Sequence, residues 1–216
     1  MKEATAARLA EAGVPIQGEH ELVTPLDTLV YHLNQNGYRR VYLAASPTVR
    51  TWITAVGIEH VEDDPELVVL CRDTTLDYQK MSRLCQMVHK GIPYIASNGD
   101  SYYPTPHGPA LDLAGMIEMI VATTRGIQPL RVFGKPHPAL LESVARPHGI
   151  SPEHVLMIGD RLNTDIQMAA NFGCDSVVVL TGETDREKLL MSPVRPTHVA
   201  EGAHILNEQL QTLKES

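Results

Sequence analysis

Three short groups of residues carry the chemistry this sequence can offer. The first is Val155-Leu-Met-Ile-Gly-Asp160-Arg-Leu-Asn-Thr164-Asp165, an apolar strand running into Gly159-Asp160 with a second carboxylate five residues on, at a helix start. Two carboxylates converging on one crevice suit a hard cation such as Mg²⁺, which takes a few oxygen ligands and keeps waters for a substrate phosphate. The plainer alternative is that Asp160 caps a turn and Asp165 favours the helix dipole; spacing alone leaves both open. The second group is Phe133-Gly134-Lys135-Pro136-His137-Pro138. A lysine between glycine and proline, just after a short strand, sits on a restricted turn. Its ammonium can neutralise an anionic substrate and nearby carboxylates, although most single lysines are solvated loop residues. His137 reads as a turn residue rather than a base. The third group, Ala96-Ser97-Asn98-Gly99-Asp100, places polar side chains at a strand end, where ligand contact and an ordinary turn are both open. Ten histidines without an HxxxH-type pair argue against zinc.

Helical and strand patterns alternate along the chain and must position these groups. Helices are expected over 3–12, from Pro25 to Gly37, and over 47–56, 78–90, 110–124, 139–148 and 165–172. Strands are expected over 20–24, 40–45, 67–71, 93–97, 131–133, 155–158 and 176–180. Thr164 with Gln167 and Thr184 with Glu187 have capping-box chemistry. The proline-dense Tyr102–Pro109 stretch reads as a boundary or hinge. Apolar strands alternating with helices imply an α/β fold, with a mostly parallel sheet covered on both faces. Ligands in such sheets bind outside the carboxyl ends of the strands, so Asp160 and Asp165 are expected to face one crevice.

Composition narrows the classes further. A net charge of −8 over 216 residues argues against nucleic acid as a bulk electrostatic partner. No apolar run is long enough to span a membrane, and the first residues lack a signal peptide's hydrophobic core. Three cysteines without a CxxC pair fit free thiols in a reducing, cytoplasmic compartment.

The order of SNGD, a proline-rich stretch, a long helix, GKPHP and VLMIGDRLNTDIQMAANFGCDSVVVLTGET resembles the haloacid-dehalogenase-like phosphatases, in particular their class IIA branch of the NagD and 4-nitrophenylphosphatase type. The resemblance covers nearly all the chain. It implies a Rossmann-like core with a parallel sheet and an inserted α/β cap: residues 1–37 as the first part of the core, 38–107 as the cap, 108–216 as the rest. In its terms Lys135 is the motif III lysine, Asp160 and Asp165 are the motif IV metal pair, and Asn98 and Asp100 lie near the substrate. The implied activity is Mg²⁺-dependent hydrolysis of small phosphorylated metabolites, by phosphoryl transfer to an aspartate followed by hydrolysis. Homodimers through the cap are common in such families.

The family's nucleophile belongs to a DxDG motif on the first strand, and no DxD occurs in this sequence. Leu70-Cys71-Arg72-Asp73-Thr74-Thr75 is the nearest imitation, at a position that matches a cap strand instead. Residues 3–12 resemble the helix after the family's second motif, so about one βαβ unit of ~30 residues is expected to be missing from the front. That loss would remove the middle of the sheet and leave unpaired backbone and apolar faces. The chain alone is therefore expected to be inactive; the alternative is a non-catalytic phosphometabolite-binding or dimerisation module derived from such a phosphatase. An unrelated receiver-like domain has no place for the 38–107 insert.

Overall fold

The computed structural model describes residues 2–18 and 21–206. The chain divides into two compact units, the first ending at Arg131 and the second beginning at Val132. The expected α/β architecture is present in both.

The first unit opens with α1 (Lys2–Glu11) and α2 (Pro25–Gln35). Pro25 starts α2 with φ already set for a helix, and Thr24 closes a capping box: its N–H and hydroxyl both donate to Asp27 at 2.7 Å. There follow β1 (Arg40–Ala44), α3 (Pro47–Ala55), β2 (Glu59–His60), β3 (Leu67–Leu70), α4 (Tyr78–His89) and β4 (Tyr94–Ala96). The strands pair in parallel in the order β2-β1-β3-β4, with Val41 opposite Leu67 and Val68 opposite Tyr94. Every residue of β3 and β4 is buried, which is why these strands read as unbroken apolar runs rather than alternating ones. The helix α4 shows how local chemistry sets an element. Asp77 caps it by accepting from the Lys80 amide at 2.8 Å, Leu84 and Val88 bury one face, and Gly91 ends it at φ 95, a conformation only glycine adopts cheaply.

The proline-dense stretch has regular structure of its own. It folds as an antiparallel hairpin of β5 (Tyr102–Thr105) and β6 (Gly108–Leu111), with Pro104 opposite Pro109. In a two-residue hairpin the closing pair is hydrogen-bonded and the next pair is not, so two prolines face each other where no ladder bond is required. The hairpin takes the residues expected to begin the long helix; α5 (Leu113–Thr123) starts only after Asp112, whose carboxylate accepts from the Leu113 amide at 2.8 Å. A short strand β7 (Arg131–Val132) lies beside β4 where the first unit ends.

The second unit contains α6 (Ala139–Ala145), β8 (Leu156–Gly159), α7 (Gln167–Phe172), β9 (Asp175–Val179), α8 (Arg186–Met191) and β10 (His198–Ala200). Its parallel sheet has the order β10-β9-β8. Val178 packs with Leu162 and Ile166 on one face, and Val177, Val179 and Ala200 pack with Leu206 on the other. On its outer edge β8 has no partner strand among the described residues, and Leu156 and Ile158 are each 44% exposed.

Several expectations differ from the fold. Residue 20 of the strand expected over 20–24 lies outside the described residues, and Leu22–Thr24 form no strand. The helix expected over 165–172 is preceded by a π-helical turn, Leu162–Ile166, with Thr164 inside it rather than at a cap. At α8 the cap is Asp185, which accepts from the Lys188 amide at 2.8 Å, and not Thr184 one residue earlier. Both threonines satisfied the spacing rule; an aspartate one residue on is the better cap, and the π-turn displaced the other helix start.

Candidate active site

The candidate site of the second unit is built at the carboxyl end of β8. The strand delivers Gly159 and Asp160, and the π-helical turn that follows brings Asp165 back against the strand end. This return requires a glycine: a Cβ on Gly159 would lie 2.3 Å from the Asp165 Cβ. Asp165 is buried, and both its oxygens are engaged. Oδ1 accepts from the Lys135 ammonium at 2.6 Å, and Oδ2 from the Arg161 amide at 3.1 Å. Lys135 reaches it from a turn in which the His137 amide donates to the Gly134 carbonyl at 3.1 Å. Asn171 near the end of α7 donates to the Pro136 carbonyl of that turn at 2.8 Å.

Asp160 is held from the other side by the loop after β9. The Glu183 amide donates to Asp160 Oδ2 at 2.9 Å, and the Thr184 amide donates to the Asp160 carbonyl at 3.1 Å. Gly182 makes this approach possible, because a Cβ there would lie 2.2 Å from Asp160 Oδ2. Arg161 and Glu183 pair through their side chains at 2.9 Å. The spacing argument identified Lys135, Asp160 and Asp165 but not Arg161, Glu183 or the two glycines. The partners of Asp160 come from more than twenty residues away and act through main-chain N–H groups, which leave no mark on residue type.

The residues of the site accommodate a hard divalent cation in one respect. Asp160 Oδ1 takes no hydrogen bond from the described residues, whereas Asp165 is already spoken for by an ammonium and an amide. Among the described residues no three His, Cys, Asp or Glu side chains cluster as a ready metal cage. One open carboxylate oxygen is closer to the donor set of a Mg²⁺-type site, which takes few protein ligands, than to that of an all-protein cage.

In the first unit, Asn98 and Asp100 follow β4 at the carboxyl end of its sheet. Asn98 donates to Asp100 Oδ2 at 3.1 Å, and Ser97 donates to Asn98 Oδ1 at 3.2 Å. Nearby in sequence to the end of β3, Asp73 is buried. Its Oδ1 accepts from the Thr75 amide at 2.8 Å and hydroxyl at 2.6 Å, and its Oδ2 faces the Lys80 ammonium at 3.3 Å. Burial alone would raise its pKa, but the Thr75 hydrogen bonds and Lys80 outweigh it and hold the carboxyl below its ordinary value. Both carboxylate oxygens of this imitation nucleophile are engaged, Oδ1 in its own turn and Oδ2 by Lys80 of α4. The Arg72 guanidinium stacks on Tyr103, 4.5 Å from the ring centroid. Cys71 is fully buried and its thiol is pushed up to about 12, which leaves it unreactive.

The sequence model of the HAD-hydrolase-like family matches residues 132–204, which span Lys135, Asp160 and Asp165. A 4-nitrophenylphosphatase from Thermotoga maritima shares 31% identity and superimposes with a TM-score of 0.88, over 95% of this chain and 78% of the other. The chain belongs to the haloacid-dehalogenase-like family. Its structural neighbours place it in the class IIA branch, with the NagD and 4-nitrophenylphosphatase enzymes. The 5'-nucleotidase YutF of Bacillus subtilis strain 168 is 29% identical over 193 residues, 89% of this chain and 75% of its own length. A glycerol phosphate phosphatase of Mycobacterium tuberculosis, solved in complex with calcium, is 29% identical with a TM-score of 0.81, over 92% of this chain and 60% of the other. The relatives of this haloacid-dehalogenase-like chain are thus phosphatases, and no helix among the described residues is long and apolar enough to cross a membrane.

Proposed function

We propose that this chain handles the phosphate and the metal of a Mg²⁺-dependent phosphomonoester hydrolase for small phosphorylated metabolites, and that it turns nothing over alone. The observation that carries the reading is the 2.6 Å pair of Lys135 with Asp165 beside an Asp160 that keeps one oxygen open. Of the acidic pair Asp160 and Asp165, Asp160 would take the metal through its open oxygen, and Asp165 holds Lys135. Lys135 has three donors, of which Asp165 takes one, so two remain to meet a phosphate oxygen. Mg²⁺ when bound supplies charge neutralisation for the transferring phosphoryl group. It suits the site better than a larger cation because it binds through one or two carboxylates and retains its waters.

Residues 38–107 act in this reading as the cap between core segments 1–37 and 108–216, with Asn98 and Asp100 contacting the substrate and a homodimer formed through the cap. Three free cysteines, Cys71, Cys85 and Cys174, support a cytoplasmic location. The names of the relatives, which act on nucleotides, glycerol phosphate and 4-nitrophenyl phosphate, support a small phosphomonoester as substrate. The missing attacking group supports inactivity: no DxD occurs in the 216 residues, and Asp73 is tied into its own turn. The same absence favours the second reading, a non-catalytic module that binds phosphometabolites.

Thermal melting with and without Mg²⁺, combined with a 4-nitrophenyl phosphate assay, tests the proposal. A Mg²⁺-dependent rise in Tm that Asp160→Asn abolishes, with no turnover, is the expected result. Turnover that vanishes in Asp160→Asn overturns the inactivity; no Mg²⁺ response overturns the metal site.

A further inference from the structure

We propose that Arg161 and Glu183 are positioning residues that together fix the relation between Asp160 and Asp165. This rests on the reading of those carboxylates given above. The contacts are crossed. Arg161 follows Asp160 in the chain, yet its amide holds Asp165, at 3.1 Å. Glu183, on the loop after β9, holds Asp160 with its amide at 2.9 Å. The two side chains then join each other at 2.9 Å, closing a ring from one carboxylate to the other.

The second loop is pinned where Glu183 needs it. The Lys188 ammonium donates to the Glu183 carbonyl at 2.7 Å, and the Thr184 amide donates to the Asp160 carbonyl at 3.1 Å. Gly182 lets the loop approach Asp160 more closely than any side chain would allow. The consequence is a division of labour between carboxylates of one type. Asp165 has both oxygens occupied and is locked against Lys135. Asp160 has one oxygen occupied by an amide and one open to a cation. Which oxygen stays open depends on where the Glu183 amide sits, and the Arg161 side chain bears directly on that.

The pair is partly solvent-exposed, with side chains 33% and 52% accessible. Exposed ion pairs add little to stability. A pair with no role beyond the surface would leave both carboxylates in place when broken, and this distinguishes the two cases.

Amide hydrogen exchange by NMR on the full chain, with Mg²⁺ titrated calorimetrically in parallel, tests the inference. In Glu183→Gln the Arg161 amide is expected to exchange about two- to fivefold faster, and in Arg161→Gln the Glu183 amide does the same, the range that an exposed pair commands. The Mg²⁺ dissociation constant rises by a similar factor in both. Arg161→Lys, which keeps the charge, and the charge-exchanged Arg161→Glu/Glu183→Arg double variant are expected to restore protection. Unchanged exchange at the unmutated partner in both single variants overturns the proposal, as does a loss that the exchanged pair leaves unrepaired. A wild-type chain that ignores Mg²⁺ while showing the crossed exchange effect sinks the metal reading and upholds the positioning role.

Discussion

At the residue scale, the decisive chemistry lies in close approaches rather than in the acidic residues themselves. Gly182 meets Asp160 and Gly159 meets Asp165 at separations that leave no room for a methyl group. Gly182→Ala is therefore expected to displace Asp160, lowering stability by about 1–3 kcal/mol as overpacking does, and to remove the Mg²⁺-dependent shift in Tm. Urea unfolding with and without Mg²⁺ checks both parts; an unchanged shift would contradict the geometry. Asp73 illustrates a residue that looks reactive and is structural. Its folded pKa is depressed, so it contributes stability above its ordinary value of 3.8, which is lost as pH falls through the lower folded value. Asp73→Ala leaves the Thr75 donors and Lys80 without their acceptor and is expected to cost about 1–3 kcal/mol near neutral pH. The gap between wild type and variant should close as the pH is lowered past 3.8, read from urea unfolding across the acidic range. The candidate residues Lys135, Asp160 and Asp165 were legible because glycine, lysine and aspartate cluster in contiguous motifs. Arg161 and Glu183 were not, since they act across 22 residues and through main-chain amides that any residue supplies.

At the element scale, legibility followed burial. The strands β1, β3 and β4 are covered on both faces and announce themselves as apolar runs, and α4 carries both an apolar stripe and a cap. Elements held by pairing rather than by their own pattern escaped notice: β2 is two residues long, and the β5–β6 hairpin hides in a proline-rich stretch. The two helix starts proposed from threonine spacing make the same point in reverse, because spacing does not decide which residue takes the cap. These assignments have measurable consequences. Asp77→Ala at the start of α4 is expected to cost about 1 kcal/mol, the usual value of a lost cap, in chemical denaturation. Thr164→Val should be neutral or stabilising by comparison. The Thr164 hydroxyl is buried in the π-helical turn without a hydrogen-bond partner among the described residues, so removing it relieves an unmet polar group. A cap-sized loss at Thr164 would mean that the threonine caps the helix after all.

At the scale of the whole molecule, two parallel sheets end differently. In the first unit β3 lies between β1 and β4 and the apolar strands are enclosed. In the second, β8 brings Asp160 to the site and is also the outermost strand among the described residues. Its Leu156 and Ile158 lie on the face that carries Val177 and Val179, since Ile158 stands opposite Val177 in register, and each is 44% exposed. An open parallel edge beside exposed aliphatic side chains is a template for association, because unpaired N–H and C=O groups accept another strand and the apolar area favours its burial. A net charge of −8 opposes association at long range but is screened beyond about 8 Å at physiological ionic strength, so it does not protect an edge at contact distance. Raising the protein concentration is therefore expected to raise the weight-average mass in sedimentation equilibrium, by contacts that involve this edge. Replacing Leu156 and Ile158 together with lysine, the residue natural edge strands use to block pairing, should lower that mass at equal concentration and leave the far-ultraviolet circular dichroism unchanged. The same self-association in the lysine variant would mean that the contact lies elsewhere, and that β8 is protected in solution by something other than its own side chains.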